Sequence, residues 1–300
     1  EFANSLMGND GIMQASAFKK IAAGLLLLLA VGIVLWQVVP DRHVVNTSYT
    51  VESKRVPPEF DGFKIALITD FHNGENGEEV LSCVRNASPD IICIAGDLVS
   101  MDTTDYTNTI ELVGKLLHIA PVYYAYGNHE YYNATYHGTD TPPIWQKLQD
   151  SGVIFLNNEL RTLKRGTAKL NLLGYADSIH SDEGDAFWNN AQPFFDSISR
   201  EIDPNVFAVL LLHRAQYFDR VSEYPFDLVL GGHLHGGEIG LEPFRSYILK
   251  KHVFTDRYSK GQYSENGHQL VISAGCTVSD GVRLFNPPEV VSVVLKRTDK

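Results

Sequence analysis

Between residues 62 and 295 the chain alternates short, nearly uninterrupted apolar runs with longer stretches whose apolar residues recur every three or four positions. Lys64 to Thr69, Asp90 to Ala95, Pro121 to Tyr126 and Val153 to Leu156 predict strands. Helices are predicted between them over Glu78 to Asn86, Tyr106 to His118 and Pro143 to Asp150. Strands that are apolar on both faces belong to a sheet covered on both sides, which makes the fold α/β. The second half keeps the habit: a hairpin around Arg165-Gly166, a helix over Ala191 to Glu201, and strands over Val206 to Leu212 and Asp227 to Leu230. Strands at Gln269 to Ser273 and Val290 to Leu295 follow with no helix between them. Ahead of this core, His43 to Ser53 alternates apolar and polar residues like a strand, and Pro57-Pro58 ends it.

The N-terminal pattern differs. From Ile21 to Val39 the chain reads IAAGLLLLLAVGIVLWQVV, with Gln37 its one strongly polar residue. As a helix that run reaches roughly 28 Å, near the thickness of a bilayer's hydrocarbon core. Lys19-Lys20 before it, Trp36 near its far end and Arg42 beyond predict a single-pass anchor in the cell membrane with the main domain outside. The alternative is a cleaved signal peptide ending near Ala30-Val-Gly32. The predicted organisation is a tag remnant and tail over 1–16, the anchor over 17–40, a juxtamembrane strand and linker over 41–61, and one catalytic-sized domain over 62–300.

Composition narrows the partners. A formal charge of -11 over 300 residues, with no Lys/Arg-dense stripe, argues against holding nucleic acid through its phosphates. Cys83, Cys93 and Cys276 are too few and too scattered for a disulfide framework or a cysteine-based zinc module. No phosphate-binding loop of the G-x-x-x-x-G-K-[ST] or G-x-G-x-x-G kind is present.

The chemistry gathers at the ends of the predicted strands. Thr69-Asp70-Phe-His72, Gly96-Asp97, Gly127-Asn-His-Glu130, Leu212-His213 and Gly232-His-Leu-His235 each close an apolar run. In sheets of this kind sites form beyond the carboxyl ends of strands, so five ends converge on one pocket. Two carboxylates, one amide oxygen and four imidazoles form a mixed oxygen and nitrogen donor set, suited to Mn, Fe, Zn or Co rather than calcium. A carboxylate between two such ions bridges them, as two-metal hydrolases require. In an extended segment His233 and His235 both face the pocket while Leu234 turns back. Glycines 96, 127, 231, 232, 236 and 237 leave room and permit positive φ. Arg214 reads as a solvated surface arginine, with a phosphate contact as the alternative.

In these blocks the chain resembles the calcineurin-like metallophosphoesterases, whose signature runs D-x-H, G-D, G-N-H-D/E, H and G-H-x-H. The blocks are complete and in order. Tyr258-Ser-Lys-Gly-Gln-Tyr263, Ser273-Ala-Gly and Arg283-Leu-Phe-Asn-Pro-Pro-Glu289 look like the membrane-linked bacterial branch. The resemblance implies a β-sandwich of two mixed sheets flanked by helices, preceded here by one transmembrane helix. It implies two divalent metal ions, one held by Asp70, His72, Asp97 and His235 with Asp97 bridging, the other by Asn128, His213 and His233. His129 would be the non-ligand histidine that stabilises charge or protonates the leaving oxygen.

The implied activity is hydrolysis of a phosphodiester or pyrophosphate by a metal-bridging hydroxide, on a phosphorylated small-molecule or lipid-linked substrate beside the bilayer. The alternative is a non-catalytic scaffold of the same fold. Two features depart from the pattern: His213-Arg-Ala215 lacks the proline found two residues after this histidine in relatives, and Leu98-Val-Ser-Met101 replaces the D-R-G of protein phosphatases. Substrate-binding walls are expected in 73–77, 131–141, 178–188 and 238–256.

Overall fold

The computed structural model describes residues 18–33, 43–177, 185–237, 247–248, 253–254, 257–277, 283 and 285–299. The chain divides into two units, residues 1–41 and 42–300.

In the first unit the described residues form one helix, α1, over 18–33, with Phe18, Ile21, Leu25 to Leu29 and Ile33 exposed. It spans roughly 24 Å, short of the ~30 Å hydrocarbon core. Among the described residues no helix is long and apolar enough to cross a membrane. That finding corrects the single-pass anchor, the cell-membrane location and the external placement of the main domain. The apolar run misled because its span counted residues 34–39, which lie outside the described residues, as does the tail over 1–16.

The second unit is built on two six-stranded sheets. The first has the order β1 (Val45–Ser53), β14 (Glu289–Arg297), β2 (Lys64–Ile68), β3 (Ile91–Ala95), β4 (Val122–Ala125), β5 (Ile154–Phe155). It is mixed: β2 to β5 run parallel, β14 pairs antiparallel with β2, and β1 joins the edge parallel to β14. The second has the order β12 (Gly261–Glu265), β13 (His268–Ile272), β9 (Leu228–Gly231), β8 (Phe207–Leu212), β7 (Ala168–Tyr175), β6 (Glu159–Arg165), with antiparallel strands only at its two edges. Two short strands, β10 (Tyr247–Ile248) and β11 (Val253–Phe254), pair with each other.

The period of two in each strand builds three cores. Ile65, Leu67, Ile91, Cys93 and Tyr123 face Leu170, Leu172, Phe207, Val209, Leu228 and Leu230 across the space between the sheets. The alternate residues Ala66, Ile68, Ile92, Ile94 and Tyr124 lie under α2 (Gly77–Ala87) and α3 (Thr107–Leu116). On the far side Leu173, Leu210, Leu212 and Val229 pack with α6 (Ala186–Ile198) and α7 (Phe218–Val221). Burial on both faces is why these strands read as unbroken apolar runs.

Besides the unpredicted short elements α7, β10 and β11, three elements depart from the expected pattern. α6 starts at Ala186, five residues early, and carries Pro193 inside it. Burying Phe187, Trp188 and Phe195, each worth about 1.5–3 kcal/mol, offsets the ~3 kcal/mol that an interior proline costs. α4 (Asn128–Tyr136) forms where residues 131–141 were expected to be a loop. β12 forms in a stretch that gave no strand signal, because its side chains alternate only between half-buried and exposed.

Candidate metal centre

Strand register brings the donors together. Ile68 pairs with Ile94 and Ala95 with Ala125, so Asp70, Asp97 and Asn128 leave the first sheet along one edge. Leu211 pairs with Leu230 in the second sheet, which places His213 and His233 beyond the same kind of edge. The chain turns sharply at once: Asp70, His72, Asp97, His233 and His235 all have positive φ, between 50° and 78°. Left-handed backbone costs roughly 1–2 kcal/mol per L-residue and concentrates at functional positions. It also corrects the expected route by which His233 and His235 enter the pocket. Strand β9 ends at Gly231, and two left-handed residues, not strand alternation, aim the imidazoles.

Three overlapping groups have donor atoms close enough to share an ion: Asp70, His72 and His235; His72, Asp97 and His129; and Asp97, His213 and His233. Asp97 Oδ2 lies 3.0 Å from His213 Nε2 and 3.8 Å from His72 Nε2. His233 Nδ1 stands 3.2 Å from His213 Nε2, the separation of two adjacent ligands on one ion at about 2.1 Å from each. His235 Nε2 is 3.5 Å from Asp70 Oδ1, and its ring stacks on His72 at 5.4 Å. His213 Nδ1 donates to the Ala95 carbonyl at 2.9 Å, which fixes the ring and turns Nε2 inward. His129 is held differently: the Met101 N–H donates to its Nδ1 at 3.1 Å, so the neutral ring carries its proton on Nε2.

Electrostatics divides the histidines. Burial lowers His72, brings His233 well below its ordinary range and takes His235 down to about 4, leaving three neutral imidazoles with lone pairs to offer. His213 behaves oppositely. Burial disfavours its charge, but the Asp97 carboxylate, aided by Asp70, lifts it to about 10, while the same pairing holds Asp97 well below the usual carboxylate range.

Asn128 tests whether these residues fit a metal. Its Oδ1 is buried and has no hydrogen-bond partner among the described residues, although it begins α4 in the midst of the donors. A buried amide oxygen left unpaired is costly unless something arrives to bond it, and a divalent cation does so. With four imidazoles and two carboxylates around it, the set fits a divalent metal.

The family model for the calcineurin-like phosphoesterases matches residues 63–237, the segment that carries all of these donors. The chain belongs to the calcineurin-like phosphoesterase family. As a member it is a metal-dependent phosphoesterase. It is similar to the uncharacterized metallophosphoesterase YkuE of Bacillus subtilis, 25% identical over 268 residues that cover 86% of this chain and 88% of that one. The uncharacterized metallophosphoesterase Cj0846 of Campylobacter jejuni is 28% identical over 262 residues, 84% of this chain and 65% of that one. Among solved structures, TT1561 of Thermus thermophilus aligns with a TM-score of 0.45 at 11% identity, over 71% of this chain and 90% of that one.

Within this phosphoesterase, residues outside the donor set hold it in place. Glu130, read in the sequence only as part of a motif, is buried and accepts four backbone N–H groups. These are Gly127 at 2.7 Å, Asp97 at 2.9 Å, Leu98 at 2.7 Å and Val99 at 3.2 Å, so one carboxylate ties the Asp97 turn to the start of α4. Its signal was legible as a glutamate at the third position of a helix, the place from which it reaches back to the cap. Arg214, expected on the surface, is fully buried in an ion pair with Asp177 and lies 5.5 Å over the Phe187 ring. Both reasons for the glycines are present: a Cβ on Gly231 would meet the Leu212 carbonyl at 2.0 Å and one on Gly232 the Asp70 carboxylate at 2.3 Å, while Gly96, Gly236 and Gly237 have positive φ. Of the expected substrate walls, residues 178–184, 238–246, 249–252 and 255–256 lie outside the described residues.

Proposed function

We propose that this phosphoesterase holds two metal ions and hydrolyses a phosphodiester or pyrophosphate bond in a phosphorylated small molecule. The observation that carries this reading is the double membership of Asp97. The same carboxylate stands with His213 and His233 on one side and within 3.8 Å of His72 on the other. In this reading Asp70, His72, Asp97 and His235 hold one ion, and Asn128, His213 and His233, with Asp97 shared, hold the other. The mixed donors favour Mn, Fe, Zn or Co.

When bound, the ions would acidify a water and withdraw charge from the phosphoryl oxygens. The protein's own groups do the rest. His129, with its proton on Nε2 because the Met101 N–H occupies the other ring nitrogen, would donate a hydrogen bond that stabilises the charge developing on the leaving oxygen. The His129 backbone N–H donates to Asp97 Oδ1 at 2.9 Å, which fixes this residue relative to the shared carboxylate. A lipid-linked substrate was favoured only by the membrane anchor and loses its support with it.

The test is the rate at which the protein loaded with Mn cleaves bis-p-nitrophenyl phosphate, beside an Asp97→Asn variant. Native activity with a loss of at least a hundredfold in the variant is expected, and equal rates would sink the proposal.

A further inference from the structure

The segment after β13 places a second cation beside the centre. Arg283 is buried, 8% exposed, and its Nη2 donates to the Ala274 carbonyl at 2.8 Å and to His235 Nδ1 at 3.0 Å. Asn286 grips the same turn from its backbone, donating to the His235 and Gly237 carbonyls at 2.7 and 2.8 Å. The guanidinium is only half used. Its Nη1 is buried with no hydrogen-bond partner among the described residues, and none of their carboxylates lies within ion-pair distance of it.

The other deeply buried arginine shows what is unusual here. Arg214 is neutralised by Asp177, whereas the two carboxylates that attract Arg283 make no ion pair with it: Asp70 faces the imidazoles of the centre, and Glu289 is taken by Lys260 at 3.1 Å and by the Ala274 N–H at 2.9 Å. A buried charge with no carboxylate in contact and no acceptor for one of its donors is unfavourable until an anion arrives. The planar fork of a guanidinium is matched to a phosphoryl group, whose oxygens accept two parallel N–H bonds.

From this geometry we infer that Arg283 binds a non-bridging phosphoryl oxygen of the substrate, with Nη1 as the waiting donor. The inference rests on the phosphohydrolase reading above. It adds a positive contact supplied by side-chain chemistry, on the His235 side of the centre and opposite in chain position to His129. A cation on His235 Nε2, the nitrogen that faces Asp70, would need that lone pair and leave the ring proton on Nδ1, which then no longer accepts from Nη2, so ion binding frees a second donor for the anion. The motif Arg283-Leu-Phe-Asn286 thereby gains a division of labour: its arginine meets substrate while its asparagine holds the His235 turn.

The experiment measures inorganic phosphate binding by calorimetry to the Mn-loaded native protein and to Arg283→Met and Arg283→Lys, with metal content determined on each sample. Native binding, a weakening of at least tenfold in Arg283→Met, an intermediate value in Arg283→Lys and unchanged metal content are expected. Equal phosphate affinity in all three overturns the role of Arg283 while leaving the phosphohydrolase reading intact. Loss of metal together with phosphate in both variants also overturns it, making Arg283 a support for His235. A native protein that takes up Mn but binds no phosphate and cleaves no phosphodiester overturns the phosphohydrolase reading itself.

Discussion

Asp97 and His213 meet at 3.0 Å, Oδ2 to Nε2, although one ends a strand of the first sheet and the other a strand of the second. The contact crosses the seam between the sheets, and a Cβ on Gly96 would lie 2.3 Å from the His213 ring, so the two edges are pressed together there. The pair therefore reports both on the packing of the sandwich and on the readiness of the centre.

Metal uptake should expel a proton from this pair. Asp97 keeps His213 protonated up to about 10, and the ion needs the Nε2 lone pair. Below that pKa the proton competes with the metal, so affinity for Mn rises with pH, by up to tenfold per unit, and levels off above it. Calorimetric titrations at pH 7 in two buffers of different ionisation enthalpy should give close to one proton released per chain from His213. No release would contradict the pairing.

Glu130→Gln should damage the centre without touching a ligand. An amide offers one acceptor oxygen where the carboxylate offers two, and its NH2 would face backbone N–H groups that now have no partner. Leaving two buried donors unsatisfied costs about 2–6 kcal/mol by the usual 1–3 kcal/mol for each. Chemical denaturation of the metal-free variant should show that loss, together with at least a tenfold weaker Mn affinity. A variant as stable as the native protein would show that the four N–H bonds contribute little.

Gly232→Ala should push on Asp70 directly, since the new Cβ would fall 2.3 Å from Oδ2 and 2.6 Å from Thr69 Oγ1. Overpacking of this kind costs about 1–3 kcal/mol. Mn titration should show weaker binding alongside a lowered denaturation midpoint, and native-like Mn binding would mean that close approach of this backbone does not position Asp70.

Asn128→Ala separates metal binding from folding. Oδ1 has no hydrogen-bond partner among the described residues, so its loss removes no bond made by that oxygen in the metal-free protein. The rise in stability on adding Mn should shrink by about 1.4 kcal/mol for each tenfold loss of affinity. An undiminished rise would remove Asn128 from the ligand set.

The strand ends were readable because buried parallel strands need continuous apolar runs, and a polar residue that closes such a run stands out. Glu130 was legible only as a helix-capping glutamate, because its bonds to the Asp97, Leu98 and Val99 N–H groups are supplied by a turn 31 to 33 residues away in the chain. Arg214 misled because nothing local reveals that Asp177, 37 residues earlier, would neutralise it in the interior. His233 and His235 reach the pocket by left-handed backbone, a conformation that an apolar and polar pattern does not encode. The N-terminal expectation rested on a run whose last six residues, 34–39, lie outside the described residues, and among those described no helix is long and apolar enough to cross a membrane.

Electron paramagnetic resonance of the protein loaded with Mn(II) to saturation, with the metal counted on the same sample, tests the shared role of Asp97 most directly. Two ions per chain with the exchange coupling that a common bridging ligand produces is the predicted result, reduced to uncoupled signals or a single ion in Asp97→Asn. One ion per chain, or two with no coupling in the native protein, would contradict it.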